Sequence, residues 1–328
     1  MRFLILPLML LLGSAGSYKY IYKNLEEPDA LEHSYMDFQS QGQKLRMAYI
    51  YKKPIVPNGK TVVLLHGKNF SSDYWVPTMN YLTEKGYAVI APDQVGFGWS
   101  SQPQSYQFSF QQLAENTRLI LDSLHISDAI IMGHSMGGML ATRFALLYPS
   151  LCSRLILENP LGLEDWKLSV PYATIDKENA RELNKTRDTL KAYMLKNYFH
   201  NSWKQEYDQL LAESERHLKS KNFAAYAKNM ALTSDMIFTQ PVCYEFGNLK
   251  MPVALIVGKL DRTAIGKDRV PEERARQLGN YPVLAKKTAT QIKNCQLMEM
   301  EGIGHVPHVE NFKLFAQKLD LALSGTGY

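Results

Sequence analysis

Gly133-His134-Ser135-Met136-Gly137 follows the apolar run Ala129-Ile130-Ile131-Met132 and leads into the small-residue stretch Gly138-Met139-Leu140-Ala141-Thr142. The run reads as a buried strand and the stretch after it as the start of a helix, so Ser135 falls on the turn between them. A serine that attacks a carbonyl has to leave the fold at such a turn, on strained backbone, with its hydroxyl projecting outward. Gly133 and Gly137, two positions to either side, let the turn close without side-chain collision. The first N–H groups of the following helix have no partner within it and carry the positive end of its dipole. The same five residues therefore supply a candidate nucleophile and, at the N–H of Met136, half of a candidate oxyanion hole.

Working outward, Ser34 to Gln41 and Leu45 to Tyr51 read as an edge hairpin around Gln41-Gly42-Gln43. Thr61-Val62-Val63-Leu64-Leu65 and Tyr87-Ala88-Val89-Ile90-Ala91 are continuous apolar runs of the kind buried on both faces of a parallel sheet. Between them a helix is predicted from about Trp75 to Lys85, and a second from Ser109, its N-cap, to Leu124. Further strands are expected at Arg154 to Glu158, Val253 to Val257 and Gln296 to Met300. Alternating strands and helices imply a mostly parallel sheet covered on both faces, with ligands beyond the carboxyl ends of the strands. From about Leu163 to Val242 the alternation stops and the pattern becomes helical, which predicts a cap inserted over those strand ends.

The expected division is a signal peptide over 1–16, a lead-in over 17–31, core over 32–162, helical cap over 163–244, and core again over 245–328. Phe3 to Leu12 is almost unbroken apolar sequence after one positive residue, and Gly13-Ser14-Ala15-Gly16-Ser17 offers small residues for cleavage. Export to the periplasm or exterior is expected, with an uncleaved N-terminal anchor as the alternative. In 328 residues, 45% of them hydrophobic, there is enough apolar sequence for one large core. A net charge of +5, spread without a basic stripe, gives no reason to expect a nucleic-acid partner. Cys152, Cys243 and Cys295 form no C-x-x-C pair and read as small buried residues, although one pair is free to bridge. No metal-ligand spacing is present, so no metal or cofactor is expected.

A serine hydroxyl needs a base, and the base an orienting carboxylate. Asp261 directly follows the strand ending at Val257-Gly258, and His305 follows the last strand through Gly302-Ile303-Gly304. His308 competes as base, but it lies beyond Pro307, at the entrance to the last helix. Asp93 reads as a turn organiser, His66 as a support for the loop at Gly67, and His134 as structural. Lys68 reads as reaching solvent.

The order Ser135, Asp261, His305, together with His66-Gly67, the loop from Asp93 to Gly98 and the turn at Ser135, resembles capped α/β-hydrolases of the proline iminopeptidase-like and epoxide-hydrolase-like branch. The resemblance covers nearly the whole chain after the apolar N-terminus. It implies an α/β-hydrolase fold with an eight-stranded, mostly parallel sheet and an inserted helical cap. It also implies a second oxyanion donor, the backbone N–H of Lys68 beside that of Met136, with Gly133, His134 and Gly137 supporting the site.

The expected activity is hydrolysis of an ester or amide through an acyl-enzyme at Ser135, on a small-molecule or short-peptide substrate, with no protein partner implied. Acyl transfer, perhydrolase or lyase chemistry by the same residues, or ligand binding without catalysis, are the alternatives. Epoxide opening and dehalogenation on this fold use an aspartate nucleophile, and the turn here holds serine. In the cap, Trp166, Tyr172, Tyr193, Tyr198, Phe199, Trp203, Tyr207, Phe223, Tyr226 and Phe238 are expected to build the cap core, with a few lining an apolar pocket. Glu178, Glu182, Glu206, Glu213 and Glu215 are available to bind an α-ammonium, yet acids and bases nearly balance across the cap, which argues against a strongly charged substrate, and a small or medium apolar acyl group is expected.

Overall fold

A hairpin of β1 (Ser34–Ser40) and β2 (Gln43–Lys52) forms one edge of the sheet, turning at Gln41-Gly42 as the sequence predicts. In this computed structural model, which describes residues 32–324, the hairpin is followed by β3 (Thr61–Leu65), β4 (Ala88–Pro92), β5 (Ala129–His134), β6 (Cys152–Glu158), β7 (Val253–Gly258) and β8 (Cys295–Met300). The segments read as signal peptide and lead-in lie outside the described residues. All eight strands form one sheet in the order β1-β2-β4-β3-β5-β6-β7-β8. Only the pairings of β2, with β1 and with β4, are antiparallel.

The continuous apolar runs are explained by burial on both faces. Val63, Leu65, Ile131 and Leu255 pack into one core layer, and their neighbours Val62, Leu64, Met132 and Ile256 into the opposite one. Side chains alternate across a strand, so a strand covered on both sides has no polar positions to spare. Each such residue, burying its whole side chain, contributes about 1.5–3 kcal/mol.

The first layer is covered by α2 (Phe110–Ser123), whose N-cap Ser109 accepts from the Gln112 N–H, and by α3 (Met136–Leu147). The second is covered by α1 (Val76–Glu84), entered through a 3-10 turn at Ser72–Trp75, and by the C-terminal α11. Between β6 and β7 lie α4 (Ile175–Leu183), α5 (Arg187–Asn197), α6 (Ala212–Leu218) and α7 (Phe223–Thr239), the inserted cap. After β7 come α8 (Glu272–Gln277) and α9 (Tyr281–Gln291), and after β8 come α10 (Pro307–Glu310) and α11 (Phe312–Ser324).

Two of the ties between cap and core are built on charged side chains of α6 and α4. On α6, Glu213 accepts from the Gly98 N–H at 3.0 Å, and Arg216 donates to the Gly98 carbonyl at 3.0 Å with its guanidinium 3.8 Å from the centre of the Trp99 ring. On α4, Glu182 pairs with Lys68 at 3.0 Å. Cys152, Cys243 and Cys295 are all free thiols.

Candidate active site

Ser135 stands between β5 and α3 with φ 56° and ψ −121°, a conformation that costs a non-glycine residue about 1–3 kcal/mol. The glycines around it are there for space. A Cβ on Gly133 would lie 2.0 Å from the Gly137 carbonyl oxygen, and one on Gly137 would lie 2.0 Å from that of Leu65. The strain at the serine is thus fixed by backbone packed against backbone.

His305 and Asp261, placed at the ends of β8 and β7, meet Ser135 in one continuous chain. Ser135 Oγ lies 3.0 Å from His305 Nε2, and His305 Nδ1 lies 2.7 Å from Asp261 Oδ2. The carboxylate is an acceptor, so Nδ1 carries the proton and Nε2 is left to accept from the hydroxyl. All three residues are buried. Burial pushes the Asp261 carboxyl upward, but His305, the Asn159 amide and the Thr263 N–H together outweigh it and hold the group below the ordinary carboxylate value.

Asn159, just past β6, was not singled out from the sequence. Its amide donates to Asp261 Oδ2 at 2.7 Å and to the Gly304 carbonyl at 3.2 Å, and its oxygen accepts from the Gly258 N–H at 2.9 Å. It joins the acid, the loop before the base and the end of β7. The strand-end rule that points to Asp93 and Asp261 applies equally to Glu158-Asn159, where it was not followed through.

The other histidines have separate partners. His66 Nδ1 faces the carbonyl of Gly67 at 2.9 Å, and its Nε2 accepts from the Gln94 N–H at 3.1 Å, so it braces the loop carrying Lys68. Burial lowers its pKa to about 4, which keeps it neutral. His134 Nε2 lies 2.7 Å from the carbonyl of His305, to which it donates, and its Nδ1 accepts from the Tyr74 hydroxyl at 3.0 Å. Tyr74 in turn accepts from the Gly67 N–H at 3.0 Å. Tyr74 and His134 therefore connect the loop at Gly67 to the backbone of His305. His308 points away from Ser135 to Glu158, with Nδ1 2.9 Å from Oε1 and its ring stacked on Trp75 at 4.4 Å. Asp93 accepts from the Ser72 and Trp99 N–H groups at 2.6 and 2.8 Å, organising its loop.

The turn at Gly67 passes directly against the serine, since a Cβ on Gly67 would lie 3.1 Å from Ser135 Cβ. Lys68 is next in the chain, and Met136 opens α3 on the other side. One reading of Lys68 is corrected. Its side chain does not run to solvent but turns under the cap to Glu182, which is 5% exposed and also pairs with Lys185. Facing the cap, a cavity of about 1300 Å³ is bounded by Lys68 and Asn69 on the core side and by α4, α5 and the loop after Arg262. Ser135, at 3% exposure, is not among the residues lining it, and the Tyr198 ring rests 4.6 Å from that of His305 with its hydroxyl accepting from Asn69 at 2.8 Å.

Of the cap aromatics, Trp166, Tyr198, Phe199, Tyr207, Tyr226 and Phe238 are buried, Trp203 and Phe223 half-buried, and Tyr172 and Tyr193 exposed. Tyr172, Tyr193 and Phe238 line the cavity. Of the five cap glutamates expected to be available, Glu178 and Glu182 line it, but both pair with basic side chains.

Comparison with known proteins agrees with this architecture. The family described as the alpha/beta hydrolase fold matches residues 60–263. A crystal structure of a probable hydrolytic enzyme from Pseudomonas aeruginosa superposes with a TM-score of 0.88 at 46% identity, covering 91% of this chain and 95% of that one. A haloalkane dehalogenase of Mycolicibacterium paratuberculosis is 31% identical over 140 residues, 42% of this chain and 46% of that protein. A 2-hydroxy-6-oxo-2,4-heptadienoate hydrolase of Pseudomonas putida is 32% identical over 107 residues, 32% of this chain and 39% of that protein. The matched stretch spans less than half the length of each of these two curated relatives.

Proposed function

The chain belongs to the α/β-hydrolase fold family, and from that premise we propose that it is a serine hydrolase cleaving an ester or amide bond of a small to medium substrate. The observation that carries this reading is the continuous contact from Ser135 through His305 to Asp261. His305 Nε2 takes the hydroxyl proton as Ser135 Oγ attacks the carbonyl carbon, and Asp261 stabilises the imidazolium that results. The N–H groups of Lys68 and Met136 receive the developing oxyanion, each contributing about 10²–10³ in rate. His305 then gives its proton to the departing alcohol or amine. Water, deprotonated by the same nitrogen, releases the acid from the acyl-enzyme and restores the serine.

The likeness to a haloalkane dehalogenase extends to the fold and not to this reaction. Displacing halide on this scaffold calls for a carboxylate at the position that Ser135 occupies. Acyl transfer differs from hydrolysis only in the nucleophile that accepts the acyl group. The chain is also proposed to be exported, on the strength of Phe3 to Leu12 and the small residues after it.

Labelling with a fluorophosphonate, followed by a panel of p-nitrophenyl esters and aminoacyl anilides on wild type and Ser135→Ala, tests the reading. Wild type is expected to label and to turn over at least one series, and Ser135→Ala to do neither. A wild-type protein that neither labels nor turns over would sink it. Mass spectrometry of the mature protein tests cleavage near Gly16, and an intact Met1 would favour an uncleaved N-terminal anchor.

A further inference from the structure

Around the cavity stand eight lysine and arginine side chains and five of aspartate and glutamate, a local excess of positive charge that the near balance of the cap as a whole conceals. One charge of that excess of three lies beside the loop carrying the candidate oxyanion donor. Glu182 alone answers both Lys68 and Lys185, and the exposures of the three side chains are 6%, 14% and 21%. The cluster keeps one positive charge largely out of water, and such a charge is costly to hold without a counter-ion. Burial lowers the Lys185 pKa and Lys68 pushes the same way, against the pull of Glu182.

The remaining cations do not lack work: Arg181 pairs with Asp268 at 2.6 Å and Arg276 with Glu272 at 2.5 Å, whereas others turn to carbonyls. Arg262 donates to the carbonyls of Lys259 and Asp261, and Lys267 to that of Arg262. Arg269 shares Glu178 with Arg181, at 3.5 and 3.8 Å. Two buried nitrogens on the cavity wall, Arg269 Nε and His200 Nε2, have no hydrogen-bond partner. Between these groups the wall is apolar, formed by Leu190, Tyr193, Phe238, Ile265 and Val270.

We infer that the substrate is an ester or amide with an apolar chain ending in a carboxylate, which enters this cavity and pairs with Lys68 and Lys185. A single surplus charge matches a monoanion, and an apolar wall with a few convergent cations suits a chain with one charged end. The inference rests on the reading of Ser135 as nucleophile. It adds that Lys68 acts twice, its backbone toward the carbonyl under attack and its ammonium toward the far end of the substrate.

Two matched pairs of esters test it. p-Nitrophenyl hemiadipate against p-nitrophenyl hexanoate places the carboxylate on the acyl side, and 4-carboxyphenyl hexanoate against phenyl hexanoate places it on the alcohol side. In one pair the anionic member is expected to show a kcat/KM at least about 10-fold higher in wild type. That ratio should fall toward one in Lys185→Met and rise in Glu182→Gln, which frees both lysines. Fluorophosphonate labelling of each variant checks that it is folded, and the wild-type ratio alone decides if one is not. Equal or better turnover of the neutral member in both pairs overturns this inference and leaves the serine hydrolase reading standing. A ratio moved the same way by both variants also overturns it, as a merely structural cluster would behave so. Failure to turn over any ester, with no labelling, removes both readings together.

Discussion

The Asn159 amide lies 2.7 Å from Asp261 Oδ2, the same oxygen that meets His305, so the carboxylate is steadied by a residue 102 positions earlier in the chain. Asn159→Leu removes that donor while keeping the volume. Since the donor favours the charged carboxylate, the Asp261 pKa rises. A group held below its ordinary value contributes stability that is present above its unfolded pKa and lost as pH falls through the folded one. In the variant that loss begins at higher pH. The expected result is acid unfolding that sets in at higher pH, with kcat at neutral pH lower by roughly 10-fold. Acid titration of the folded state and steady-state kinetics measure the two, and an unmoved acid transition with unchanged kcat would reduce Asn159 to packing.

Tyr74→Phe cuts the connection between Gly67 and His134. The Gly67 N–H and His134 Nδ1 are buried and lose their partner, at a cost of about 1–3 kcal/mol in stability. The loop carrying Lys68 is then less well held. Steady-state kinetics should show kcat reduced with KM little changed, because the loop is proposed to act on the transition state rather than on bound substrate. A change confined to KM would contradict this.

His308 and His305 should separate cleanly. His305→Ala is expected to abolish turnover and leave the protein folded. His308→Ala removes the ring from the buried Glu158 carboxylate, which keeps the backbone N–H of residue 308 as a donor, so the loss is about 1–3 kcal/mol and the melting temperature should drop while the folded fraction still labels. If His308→Ala proves folded and inert, the base has been misassigned.

Glu310 makes stability fall as pH rises. Its carboxyl accepts from the Gly304 and Val306 N–H groups beside His305, and burial raises its pKa to about 7. Between the unfolded value near 4.3 and about 7, the folded chain keeps a proton that the unfolded chain has released. Its stabilising effect is full below that window and declines through it, by roughly 4 kcal/mol at most. Denaturant unfolding at pH 5 and pH 8 should show the decline, and Glu310→Gln should lessen it.

The strands were legible because β3 to β7 are buried on both faces, which leaves continuous Val, Ile and Leu runs, and the serine turn because a Cβ on either flanking glycine would lie 2.0 Å from a backbone oxygen. Ser135, Asp261 and His305 could be picked out because each directly follows such a run. Asn159, Tyr74 and Glu158 were not, since what they touch is decided by side chains far apart in sequence. Lys68 misled for the same reason. A lysine in a loop beside a strand end has no local cause to be buried, and the cause, Glu182, arrives with the cap.

β6 and β7 lie side by side, although the whole cap intervenes between them in the chain. Strands β1 to β6 come from one unbroken stretch that already contains the serine, whereas β7 and β8, which bring the acid and the base, can dock only after that excursion has been closed. The entropy of closure grows slowly with length, but contacts this remote in sequence slow the search for the native pairing. Ser135 and His305 are 170 residues apart. On a growing chain Ser135 is synthesised before Asp261 and His305, and the strand pairing that completes the sheet is also the one that brings the three together.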